Sequence, residues 1–153
     1  MDITDVIAVL STNLSSYDIT LYPPASNEDL LNFERKLGCP IPEDFKAFYL
    51  FSNGFESAED LFRIIPLSEI ADDLSRYKPN CFAFAEYMIY SDMWEIEINP
   101  SKSDEYRISN HGLAFRDLTN SFCVFLIRFL SKGVFGEGGL YTWHDEVDAK
   151  NKP

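Results

Sequence analysis

The chain has 153 residues, 25 Asp and Glu against 13 Lys and Arg for a formal charge of −12, and is 46% hydrophobic and 15% aromatic. That describes one globular domain, able to bury roughly two thirds of the surface it exposes unfolded without a disulfide or metal staple. It argues against disorder, and the sign of the charge argues against nucleic acid or an anionic membrane as partner, since both are bound through Lys and Arg.

The start, Met-Asp-Ile-Thr-Asp, lacks the basic stretch of a secretory leader. The apolar segments 82–90 and 122–130 are interrupted by Glu86 and Arg128 and are too short to cross a bilayer. A cytoplasmic protein is expected. Cys39, Cys81 and Cys123 form no Cys-x-x-Cys pair and read as small buried apolar residues in a reducing compartment.

In chain order, Ile3, Val6, Ile7, Leu10 and Leu14 recur at helical steps behind Asp2 and Asp5, which suit the positive end of a first helix. Residues 13–24 are polar, end in two prolines and read as a connector. Ser26 with Asp29 resembles a capping box, Leu30, Phe33 and Leu37 form the buried stripe of a second helix, and Gly38 ends it. Pro42 fits the first turn of a third, with Phe45, Phe48, Tyr49 and Ser52 on one face and Asn53-Gly54 at its close. A strand is predicted within 61–66 and a short helix from Ser68 to Leu74.

Strand character then takes over. Segment 81–90 is aromatic, and 93–98 alternates, with Trp94, Ile96 and Ile98 on one face and Glu95 and Glu97 on a wet one. Segments 106–109 and 113–116 are further strands joined by a turn at Asn110-His111-Gly112. Phe122, Phe125, Leu126, Phe129 and Leu130 mark a helix started at Thr119 or Asn120 and stopped by Gly133. Helices, then a strand meander, then a packing helix make an α+β domain with an antiparallel sheet over residues 1–133. Residues 134–153 are expected to add a packed loop or strand with a short disordered end.

Several motifs that could carry chemistry have plainer readings. The glycines at 133, 136, 138 and 139 follow a helix and hold a Glu where a P-loop has a Lys, so they read as a flexible loop. His111 and His144 lack nearby thiolates and read as surface residues, with no metal or cofactor implied. No nucleophile elbow is present. Glu95 and Glu97 lie two apart on one strand face, about 6.5–7 Å, near the spacing of paired carboxylates in glycoside hydrolysis, although a half-buried strand shows charge outward by default.

The charge is local. Residues 56–73, 86–105 and 137–148 together carry −14, and the remaining 103 positions carry +2. Solubilising charge and a recognition surface for a basic partner both account for this.

Residues 24–38, with Ser26, Asp29 and Leu37-Gly38, then Ile41-Pro42-Glu43-Asp44-Phe45 and the terminal Asn53-Gly54, resemble the SUKH superfamily of cell-wall-regulator and bacterial immunity proteins. Phe122 and Phe125-Leu126 resemble its late helix, so the likeness spans roughly 2–132. Ile41 stands for the usual Leu, and the Gly-Asp-Gly type turn of many members is absent around 90–94. The resemblance implies a non-enzymatic binder that neutralises a cognate protein toxin with a basic surface, a nuclease or deaminase, as a monomer or weak homodimer. On that implication the acids Glu56, Glu59, Asp60, Asp92, Glu95 and Glu97, bordered by Trp94, form the partner-binding patch, and no residue is catalytic. A regulatory protein–protein scaffold without a toxin partner is the alternative, and a small hydrolase using Glu95 and Glu97 a third reading.

Overall fold

The computed structural model describes residues 1–110 and 116–151. Seven strands form one antiparallel sheet in which every strand pairs with its sequence neighbours: β1 (Ile19–Leu21), β2 (Phe55–Ser57), β3 (Phe62–Ile64), β4 (Cys81–Tyr87), β5 (Asp92–Ile98), β6 (Tyr106–Asn110) and β7 (Arg116–Thr119). Six α-helices accompany them among the described residues: α1 (Ile3–Thr12), α2 (Asn27–Leu37), α3 (Glu43–Phe51), α4 (Leu67–Asp73), α5 (Phe122–Lys132) and α6 (Leu140–Lys150). The α+β architecture is the one the sequence predicts.

Local chemistry sets the helix ends. Asp2 with Asp5, and Ser26 with Asp29, make reciprocal capping boxes that satisfy orphan N–H groups on α1 and α2. Gly38 takes φ +91° and closes α2 in the left-handed conformation. Ser121, one or two residues later than predicted, caps α5 by accepting from the Val124 N–H at 3.2 Å. Helix α3 ends at Ser52, not at Asn53-Gly54. The Asn53 side chain instead accepts from the Leu67 N–H at 3.0 Å, capping α4 in place of Ser68, and any Cβ on Gly54 would meet the Ile64 carbonyl.

The core lies between one sheet face and the helices. Phe45 of α3 stacks on Phe122 of α5 at 3.9 Å between centroids, and Phe129 stacks on Phe62 of β3 at 4.3 Å. Phe33 of α2 packs edge-on to Phe82 of β4, while α1 buries Val6 and Leu10 against α3 and α5. Trp94, Ile96 and Ile98 point inward from β5, so Glu95 and Glu97 point to the open face as the alternation requires.

Three expectations need correction. The connector 13–24 contains a 3-10 turn (Leu14–Tyr17) and strand β1, and β2 lies where the sequence pattern marks no strand; each strand is three residues long and is defined by pairing between distant segments. Residues 140–150 form a helix, not a loop or strand, because Leu140, Trp143 and His144 recur at helical spacing and are buried. The glycine run is a tight turn and not a flexible loop: a Cβ on Gly139 would lie 2.5 Å from the Gly133 carbonyl oxygen and 2.8 Å from that of Gly136. Of the turn predicted at 110–112, Asn110 is the last residue of β6, while residues 111–112, His111 among them, and most of the strand predicted at 113–116 lie outside the described residues.

Candidate functional site: the open face of the sheet

Cross-strand register fixes what the open face carries. Glu56 of β2 pairs with Thr20 on one side and Arg63 on the other; Arg63 pairs with Glu86 of β4, and Glu86 with Met93 of β5. Two steps along β5 come Glu95, between Ala83 and Ser109, and then Glu97, between Cys81 and Arg107. Glu56, Glu95 and Glu97 therefore share this face, joined by Glu86, a residue the sequence marks only as the lone acid in an aromatic run.

The acids fall into two groups. Around Glu95 and Glu97 a cleft of about 280 Å³ is also lined by Arg76, Lys78 and Arg107, so the two carboxylates sit among three bases. Arg107 reaches Glu97 at 2.7 Å. Against a contribution from partial burial, the Cys81 thiol bond and Arg107 hold the Glu97 carboxyl below its ordinary range. Glu97 is thus a paired anion, which does not suit a general acid with a raised pKa.

The second group surrounds Arg63. Its Nε donates to Glu86 Oε1 at 2.8 Å, and it also bridges to Glu69 of α4. Glu56 accepts from the Tyr22 hydroxyl at 3.3 Å. Arg63, Glu56, Glu69 and Glu86 line a larger cleft of about 510 Å³ whose mouth carries Leu61, Met88, Ile89 and Tyr90. Glu56, Glu69 and Glu86 against Arg63 leave the cleft with a net charge of −2. Burial first, then its bond to Glu69 and the charges of Glu69 and Glu86, push the Tyr90 phenol up to about 12.

The other expected patch residues lie elsewhere. Trp94 is fully buried and packs on Phe62, Phe125 and Tyr141, so it borders no surface patch. Asp60 accepts the Val134 N–H at 2.7 Å and anchors the turn after α5. Asp92 accepts from the Tyr141 hydroxyl at 2.6 Å and from Asn110 Nδ2 at 2.9 Å, tying α6 to the sheet. Glu59 is exposed in the β2–β3 turn. The structure thus brings Glu56, Glu95 and Glu97 to one face and turns Asp60, Asp92 and Trp94 to packing.

His144 is also a correction, being buried at 8% exposure and not a surface residue. Burial first, then the Arg116 charge, lowers its pKa. Cys39 and Cys81 are buried free thiols and Cys123 is half-buried. Among the described residues no cluster of His, Cys, Asp and Glu could hold a metal, and no helix is long and apolar enough to cross a membrane.

Residues 24–152 match the SMI1 / KNR4 family (SUKH-1). The chain is also similar to the human (Homo sapiens) tubulin polyglutamylase complex subunit 2, 32% identical over 71 residues, which are 43% of this chain and 24% of that protein.

Proposed function

Because the chain belongs to the SMI1 / KNR4 family (SUKH-1), we propose that it is an immunity protein that binds and neutralises a cognate bacterial toxin, a nuclease or deaminase, through the open face of its sheet. The family is generally one of non-enzymatic immunity or regulatory proteins. The observation that carries the reading is the open face itself, where Glu56, Glu95 and Glu97 are presented, with Glu86 buried in the adjoining cleft, by a sheet held rigid from behind by an aromatic core.

An enzyme that acts on nucleic acid presents a basic groove, and a preformed acidic face speeds encounter with it and excludes its substrate. Asp60 and Asp92 add to the long-range field while their side chains hold the C-terminal segment in place. Co-expression with the protein encoded immediately upstream tests the proposal: rescue of growth and a stable co-purified complex are expected. A toxic neighbour that is neither bound nor neutralised overturns it. The similarity to a subunit of a larger complex favours the second reading, a regulatory scaffold working through protein contacts.

A further inference from the structure

The cleft around Arg63 holds a buried acceptor with nothing to accept. Glu86 is 5% exposed; its Oε1 takes the Arg63 Nε–H, while Oε2 has no hydrogen-bond partner among the described residues. A buried carboxylate oxygen left unpartnered is costly, and its residue, Glu86, lines a cleft that already carries net negative charge. Both features ask for a cationic donor.

The mouth suits the remainder of such a ligand. Leu61, Met88, Ile89 and Tyr90 are 57%, 47%, 86% and 43% exposed, an apolar rim above an ionic floor. All four have left-handed backbone, with φ of 53°, 51°, 48° and 61°, which non-glycine residues seldom adopt. In this conformation the β4–β5 turn does without the glycines usual in such turns and presents three consecutive large apolar side chains at the cleft mouth. An alkyl stem can lie along such a rim while its charged head reaches the carboxylates, and the Tyr90 ring offers a face to the cation.

We propose that this cleft receives a lysine or arginine side chain from a protein partner, its head bound by Glu86 Oε2 and Glu56 and its stem covered by Ile89, Met88 and Tyr90. This deepens the reading above and rests on it only for whose side chain enters. Arg63 stays in place, bonded to Glu86 Oε1, and the net −2 of the cleft is what an incoming cation offsets.

The probe is the blocked tripeptide acetyl-Gly-Arg-Gly-amide, titrated into the ¹⁵N-labelled full chain beside the same peptide with citrulline in place of arginine. Saturable amide shifts are expected at Leu61, Glu86, Met88 and Ile89, with the citrulline peptide weaker by about tenfold because it lacks the charge. Glu86→Gln retains an acceptor for Arg63 and should weaken the arginine peptide by about fivefold. Ile89→Ser, at the most exposed position of the rim, should weaken it by about threefold without touching the core.

Equal binding of the two peptides overturns the proposal, as do shifts centred elsewhere. So does wild-type affinity in a folded Glu86→Gln protein or, should that variant not fold, in Ile89→Ser. A failed peptide titration removes the cleft and leaves the toxin-binding reading standing. Failed rescue with peptide binding intact removes the toxin and leaves the cleft.

Discussion

Replacing Asp92 with alanine separates a surface acid from one that holds the fold together. The carboxylate accepts from the Tyr141 hydroxyl at 2.6 Å and from Asn110 Nδ2 at 2.9 Å. Asn110 is fully buried and keeps a second acceptor, the Met93 carbonyl at 3.1 Å, so it is not left wholly unpaired. Tyr141 is half-buried and can recover part of its bond from water. Two charge-assisted bonds, each discounted for that recovery, come to about 2–4 kcal/mol, and for a chain of this size a fall of roughly 5–12 °C in Tm. Asp92→Asn keeps one acceptor and should lose about half as much. Urea unfolding measures both, with amide exchange in α6 showing whether that helix loosens first. Wild-type stability in Asp92→Ala, combined with slower partner association, would refute the structural role and return Asp92 to the binding surface.

Four further outcomes are expected. Glu95→Lys with Glu97→Lys, set among Arg76, Lys78 and Arg107, should slow association with a basic toxin by about tenfold at low salt and leave dissociation nearly unchanged, as stopped-flow at several ionic strengths would measure. Gly139→Ala should cost about 2–3 kcal/mol in urea unfolding, because its methyl meets the carbonyls of residues 133 and 136 at an ordinary negative φ, leaving a purely steric effect. His144 has a lowered pKa, so below the unfolded value near 6.5 the unfolded chain takes up a proton that the folded chain resists. Stability should therefore decline as pH falls through that value towards the folded pKa, and His144→Gln should flatten this part of the pH–stability curve although Asp92, Asp145 and Asp148 remain nearby. Phe45→Ala, which removes a ring stacked on Phe122 at 3.9 Å, should cost about 3–5 kcal/mol, read as a shift in the urea midpoint at unchanged slope.

How far the sequence could be read follows from how local each signal is. Helix α2 is written within thirteen residues, from Ser26 and Asp29 to Gly38, and the structure places it there. Helix α5 is equally local, with five buried residues at helical steps. Strands β1 and β2 are three residues each and exist because residues 19–21 meet 55–57, which no short window contains. Helix α6 follows four glycines that read as slack, and only the tertiary positions of residues 133, 136 and 139 reveal a tight turn.

The binding surface divides in the same way. Alternation in β5 correctly sends Glu95 and Glu97 outward, and the same alternation already places Trp94 on the opposite face, which rules it out as a border residue. Whether an acid is free or engaged has no sequence signature: Asp60 and Asp92 find their donors in residues 134 and 141, far along the chain. Glu86 was visible as an acid in an apolar run, but its unpartnered oxygen and the left-handed turn beside it emerge only from the fold.

The open face of the sheet as the partner surface is tested most directly by amide hydrogen exchange on the chain alone and in complex with the protein encoded upstream. Added protection should fall on β2, β3 and β5 around Glu56, Arg63 and Glu95 and on the turn at 88–91, with α1 and α2 unchanged. Protection confined to the helical side, or none on the sheet in a complex that demonstrably forms, would contradict the account.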